Sequence, residues 1–80
     1  MKKSIYSAPQ ERLRAQLKQV RNAAGLSQRE LSTLLDKPQS FVSRYESGQR
    51  RLDLLELREI CEAVGVPLVD FIKRFERSLQ

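Results

Sequence analysis

The sequence predicts an all-α domain of five short helices, and three observations carry that expectation. No stretch of useful length alternates apolar and polar residues with period two, so strands have no signature. The three glycines, Gly25, Gly48 and Gly65, each stand just past a segment whose apolar residues recur at helical spacing. Two of the segments open with a residue suited to cap a helix and a glutamate three positions later, Ser27 with Glu30 and Asp53 with Glu56.

The first helix is expected over about 9–24, with Pro9 in its opening turn and Leu13, Leu17, Val20 and Ala24 on one stripe. Gly25 closes it in a left-handed conformation. The second starts after Ser27, buries Leu31, Leu34 and Leu35, and ends near Leu35. Asp36-Lys37-Pro38 breaks it, because proline disfavours the helical region at the residue before it yet suits the first turn of a new helix. The third helix is expected from Pro38 to about Ser47, ended by Gly48. A basic connector, Gln49-Arg50-Arg51-Leu52, leads to a fourth, with Leu54, Leu57, Ile60, Cys61 and Val64 on its apolar stripe. Pro67 opens a fifth, with Leu68, Phe71, Ile72, Phe75 and Leu79 at helical spacing. The expected organisation is an N-terminal flexible arm over 1–8 and one domain over 9–80.

Eighty residues suffice for one domain of modest stability, with little surface to spare for an enclosed catalytic pocket. No run of eighteen apolar residues is present, and Met1–Ala8 lacks the apolar region of a signal peptide. A single cysteine, Cys61, excludes an internal disulfide and fits a reducing, cytoplasmic setting. On its stripe it reads as a small core residue. With no histidine, neither an imidazole-based triad nor a zinc site can be built. Glu56, Glu59 and Glu62 read as a solvated helix face, so no enzyme, cofactor, metal or small-molecule substrate is expected.

The formal net charge is +5, and its distribution says more than its size. Residues 1–26 carry six positive and one negative charge, 27–52 five and three, and 53–80 four and six. The basic surface therefore belongs to the first two-thirds of the chain, the footprint of a polyanion partner or of a merely solvated basic face.

The third helix carries the chemistry. At about 100° per residue, Gln39, Ser40, Ser43, Arg44 and Ser47 fall within an arc of about 140°, all polar and one charged. Val42 and Tyr45 face the other way, with Phe41 and Glu46 on the flanks. Guanidinium, amide and hydroxyl groups are the types that pair with base edges in the major groove. A neutral solvated face is the other reading of this arc. The short connection from Asp36 to Pro38 favours the first, since it forces a steep crossing between two helices and lifts the second out of the surface.

Over residues 13–75 the sequence resembles the helix-turn-helix domain of the Cro and phage-repressor type, the XRE family. The matching text is Leu26-Ser27-Gln28-Arg29-Glu30-Leu31, then Pro38-Gln39-Ser40-Phe41-Val42-Ser43-Arg44-Tyr45-Glu46-Ser47-Gly48, and on through Arg50-Arg51-Leu52-Asp53 to Ala63-Val64-Gly65-Val66. The resemblance implies a five-helix, lambda-repressor-like fold that reads double-stranded DNA with helix 38–47. It implies base contacts from Gln39, Ser40 and Arg44, with Ser43 on the same face. Gln28 matches a glutamine that contacts a phosphate and braces the first recognition residue. Arg50 and Arg51 lie in a loop whose amides and side chains grip the backbone, and Arg29, Lys37, Ser47 and Gln49 complete the expected backbone set. Arg21 and Glu46 match a partly buried ion pair. Two departures stand out: Asp36 replaces the usual glycine, and Pro38 stands where a capping serine or threonine is common.

The functional expectation is a sequence-specific transcription regulator, a repressor, on a pseudo-palindromic operator. One helix reads only a few base pairs, so a homodimer is expected, with Phe71, Phe75 and Leu79 as its interface. The alternative is an antitoxin covering a toxin, or another protein-interaction module on the same fold. Lys2 and Lys3 fit either a minor-groove arm or a disordered terminus.

Overall fold

A computed structural model describes residues 8–80. Five α-helices follow in order: α1 (Ala8–Ala23), α2 (Gln28–Leu34), α3 (Phe41–Ser47), α4 (Leu54–Val64) and α5 (Leu68–Ser78). The described residues contain no strand and no helix long and apolar enough to cross a membrane. The expected arm lies outside them, except Ala8, which begins α1.

Local chemistry sets the helix ends. The Ser27 hydroxyl accepts from the Glu30 amide at 3.0 Å while the Glu30 carboxylate accepts from the Ser27 amide at 2.8 Å. Asp53 and Glu56 repeat this reciprocal cap, at 2.8 and 2.9 Å, at the start of α4. Asp36 takes the left-handed conformation (φ 56°) that its short side chain tolerates, and the Lys37 amide closes α2 on the Ser32 carbonyl at 3.0 Å. Gly48 ends α3 at φ 89°, and a Cβ there would lie 3.3 Å from the Arg14 guanidinium.

The core takes Leu17 and Val20 from α1, Leu31 from α2, and Phe41, Val42 and Tyr45 from α3. Ile60 and Cys61 come from α4 and Phe71 from α5. α3 packs on α1 and α2, α4 on α2 and α5, and α5 also on α1. A buried amide ties α5 down: Gln16 Nε2 donates to the Phe71 carbonyl at 2.8 Å. The Arg12 guanidinium donates to the Ser78 carbonyl at the far end.

Several sequence expectations need correction. Leu34 and Leu54 are 60% and 62% exposed. In the two turns of α2, Leu31 and Ser32 occupy the inward side, so Leu34 faces out. Leu54 stands at the first position of α4, one turn before Leu57, where the core no longer reaches. Ala24, past the last turn of α1, is also exposed. Phe71, expected at a dimer interface, is 1% exposed and belongs to the core of its own chain.

The third helix begins at Phe41 instead of Pro38. Pro38 opens a turn in which the Phe41 amide donates to the Pro38 carbonyl at 2.9 Å, and Gln39 and Ser40 precede the helix. Ser40 occupies the cap position without a side-chain cap bond. The missing cap comes from α2: the fully buried Ser32 hydroxyl accepts from the Val42 amide at 3.2 Å and donates to the Gln39 carbonyl at 3.4 Å. Ser32 thus fixes the start of α3 against its neighbour. Ser32→Ala is expected to cost about 1–2 kcal/mol, a lost cap plus a stranded buried amide, as read by urea unfolding. A change below about 0.3 kcal/mol would show that the Val42 amide finds another partner.

Candidate nucleic-acid interface

α2 and α3, joined by the 35–40 turn, place the expected readout residues along one side. Gln28, Arg29, Gln39, Ser40 and Ser43 line one shallow groove, and Lys37, Ser40, Phe41, Arg44 and Arg50 line the hollow beside it. Gln39 and Arg44 are exposed, while Ser40 and Ser43 are half-buried. The Ser43 hydroxyl donates to the Ser40 carbonyl at 3.0 Å, and that of Ser47 to the Arg44 carbonyl at 3.1 Å. Both donor protons are spent on the backbone, which leaves the oxygens as acceptors. The only charged group on this arc, Arg44, is free of the constraint.

Two side chains hold the helix pair in register. Arg21, buried at the end of α1, donates from Nε to Glu46 Oε2 at 2.7 Å and from Nη2 to Oε1 at 3.0 Å. Its Nη1 donates to the Leu26 carbonyl at 2.9 Å. Hydrogen bonding to Glu46 raises the Arg21 pKa further above its ordinary value. Gln28 completes the knot, donating from Nε2 to Glu46 Oε1 at 2.9 Å. Gln28 therefore braces the ion pair, whereas Gln39 is held by another side chain. With its amide oxygen toward Arg29, Gln39 accepts from Nε at 3.1 Å and from Nη2 at 2.6 Å. Guanidinium donors can meet only an acceptor, which fixes that orientation of the amide.

The basic connector is more constrained than its sequence suggested. The Gln49 and Arg50 amides both donate to the Arg44 carbonyl, at 2.9 and 3.3 Å, so they serve the end of α3 and are not open to a phosphate. Arg50 donates to both carboxylate oxygens of Glu56, at 3.0 and 2.7 Å. Its guanidinium lies 4.9 Å from the Phe41 ring centre, and Lys37 Nζ lies 5.5 Å from that ring. Arg51 is exposed and shares a hollow with Gln10 and Arg14 of α1 and with Gly48. Arg14 was not singled out in the sequence; its only signal there was membership of the basic N-terminal third.

The Arg50 guanidinium, then the Asp53 amide, hold the Glu56 carboxyl down at about 2, from an ordinary 4.5. A depressed acid contributes stability that is complete above the ordinary value and is lost as pH falls toward the folded one. Thermal melts are therefore expected to lose stability between about pH 4.5 and 2, and Glu56→Gln should remove part of that slope. An unchanged slope in the variant would assign the acid sensitivity to other carboxylates. Among the described residues, no three His, Cys, Asp or Glu side chains gather closely enough to hold a metal ion. Burial raises the pKa of the Cys61 thiol, which suits a core residue.

Comparison with known proteins agrees with this geometry. Residues 17–71 match the helix-turn-helix family HTH_3. An XRE-family like protein from Pseudomonas syringae pv. tomato str. DC3000 is similar over 95% of this chain and 93% of its own, at 36% identity and a TM-score of 0.85. The clp gene regulator ClgR from Corynebacterium glutamicum is similar over 90% of this chain and 77% of its own, at 25% identity and a TM-score of 0.77. A mutant of the restriction-modification controller protein C.Esp1396I shares the fold at 22% identity and a TM-score of 0.81, over 91% of this chain and 92% of its own. No curated protein matches the chain. A family match over most of the chain and an XRE-family like neighbour at 36% identity coincide with the α2–turn–α3 geometry, and the chain belongs to the XRE-type helix-turn-helix family of DNA-binding proteins.

Proposed function

We propose that this protein is a sequence-specific transcription regulator that represses by occupying a pseudo-palindromic operator as a two-fold dimer. The observation that carries the reading is the outward face at the start of α3, where Gln39, Ser40, Ser43 and Arg44 present base-pairing groups beside a basic rim. A solved relative named as a gene regulator and another named as a restriction-modification controller support regulation as the role of this fold. In this reading Gln39, Ser40, Ser43 and Arg44 read base edges. Lys37, Arg51 and the Gln49 side chain meet the phosphates, with Arg14 beside Arg51, and Ser47 joins them when its hydroxyl turns from the Arg44 carbonyl. Repression needs only occupancy of a promoter, which an 80-residue chain can supply.

Selection of bound sites from random duplexes, followed by titration in rising salt, tests the assignment. Arg44→Ala is expected to cost about 1–3 kcal/mol at the selected site and to relax preference at one base pair. Arg51→Ala should weaken selected and random duplexes alike and lower the salt slope by about one. Equal losses on both duplexes for both variants would refute this division of roles. A folded protein with no salt-sensitive duplex binding would favour the protein-interaction reading, including an antitoxin.

A further inference from the structure

We propose that Arg50 is a positioning residue and not a phosphate ligand: it clasps the first turn of α3 to the start of α4, presetting the base-reading residues. The inference rests on the DNA-binding reading above and concerns how its surface is held.

Four contacts define the clasp. The Phe41 ring, at the first position of α3, is 7% exposed and directly follows Gln39 and Ser40. It packs edge-on against Tyr45, with ring centres 5.4 Å apart, and carries the Arg50 guanidinium on its open side at 4.9 Å. Arg50 Nη1 donates to Glu56 Oε1 at 3.0 Å and to the Arg51 carbonyl at 2.8 Å, while Nη2 donates to Glu56 Oε2 at 2.7 Å. Glu56 is fixed in turn, since its Oε1 also accepts from the Asp53 amide at 2.9 Å. A chain of contacts thus runs from the recognition turn through the connector into the cap of α4.

The chemistry argues against a direct grip. Both terminal nitrogens of Arg50 are engaged with a carboxylate, in the side-by-side geometry that would otherwise suit a phosphate. To meet DNA, the guanidinium would have to leave the carboxylate, the carbonyl and the aromatic face together. A carboxylate at that point also cancels the local charge that a phosphate would seek. Arg50 and Arg51 are both exposed, but Arg51 lends the clasp only its carbonyl, and its guanidinium bears none of these ties.

The test uses the full chain and a duplex selected by the wild type, with thermal melting to confirm folding. Glu56→Gln keeps an oxygen for the Asp53 amide but loses the paired carboxylate. It removes a negative charge, so a purely Coulombic surface would bind DNA more tightly. The clasp instead predicts roughly fivefold weaker binding to the selected site, the size expected for a lost charge-assisted contact. Arg50→Gln and Arg50→Lys should weaken it about equally with the salt slope unchanged, because lysine keeps the charge and loses the fork. Arg51→Gln should lower the slope by about one. In the free protein, the amides of residues 41–45 should exchange hydrogen faster in Glu56→Gln and Arg50→Lys. Tighter binding by Glu56→Gln overturns the proposal, as does a slope reduced by about one in Arg50→Gln and restored in Arg50→Lys. Unchanged amide exchange overturns it too. A wild type without salt-sensitive duplex binding removes the DNA reading and this inference together, whereas a binding wild type with those variant results removes this inference alone.

Discussion

Replacing Glu46 with alanine is expected to destabilise the protein by about 3–5 kcal/mol, and replacing Arg21 alone should cost nearly as much. The side chains of Arg21 and Glu46 are only 8% and 4% exposed, so neither charge can turn to water when its partner is removed. Loss of Glu46 strands the Arg21 guanidinium and leaves the Gln28 amide without its acceptor. Loss of Arg21 strands the Glu46 carboxylate and leaves the Leu26 carbonyl without its side-chain donor. Each kilocalorie lowers the melting temperature of a domain this size by roughly 4–8 °C, so either variant should melt some tens of degrees earlier or fail to fold at 37 °C. Arg21→Met with Glu46→Leu should recover most of the loss, since a well-packed apolar pair of similar volume is often no worse than a buried ion pair. Urea unfolding of the wild type, Arg21→Met, Glu46→Leu and the double variant closes the cycle. Strictly additive single-variant energies would mean that the two charges do not depend on each other.

That pair also shows what the sequence could reveal and where it stopped. Glu46 lies on the flank of the helical projection next to Val42, where a carboxylate near the core needs a partner, and the family resemblance names Arg21 as that partner. Helix number, caps and left-handed closures were legible because each depends on chemistry within a few residues: Ser27 with Glu30, Asp53 with Glu56, Asp36 and the glycines. Contacts made across the fold were not. Ser32 looks like an ordinary exposed hydroxyl in a short helix, yet it caps α3 in place of the side chain that Pro38 lacks. Gln16 lies off the apolar stripe of α1 but is buried under α5. Arg29 and Arg50 read as free cations because Gln39 and Glu56 are distant in sequence and adjacent in space. Apolar spacing likewise named Leu34 and Leu54 as core: in two turns of α2 the buried Ser32 turns the inward face away from Leu34, and at Leu54 periodicity does not say how far the core extends along α4.

Phe75→Lys is expected to weaken operator binding at least a hundredfold while leaving the fold intact. α5 buries Leu68 and Phe71, is docked by Gln16, carries Asp70, Lys73, Arg74 and Arg77 on its far side, and leaves apolar side chains exposed along the flank between. Val69 is 60% exposed, Ile72 40% and Leu79 39%, and Phe75 is half-buried at their border. These four line one flank of a three-turn helix, the kind of contiguous apolar surface that marks an interface. With Phe71 withdrawn into the core, the proposed interface is Val69, Ile72, Phe75 and Leu79. A self-complementary patch suits a two-fold dimer, because the same residues meet themselves across the axis. The described residues measure 37 × 25 × 21 Å, and a dimer on paired half-sites must set its α3 helices about 34–36 Å apart, one turn of duplex. Each α3 contributes few base contacts, and coupling two half-sites multiplies affinity by roughly 10²–10⁴ without any new contact to DNA. A lysine at Phe75 would place a charge at the border of that patch in both copies, and the dimer should dissociate. Sedimentation at micromolar concentration should then show a wild-type dimer and a Phe75→Lys monomer with the same melting profile. A monomeric wild type whose operator binding survives Phe75→Lys would remove α5 from the assembly and leave duplex DNA as the only thing that brings two copies together.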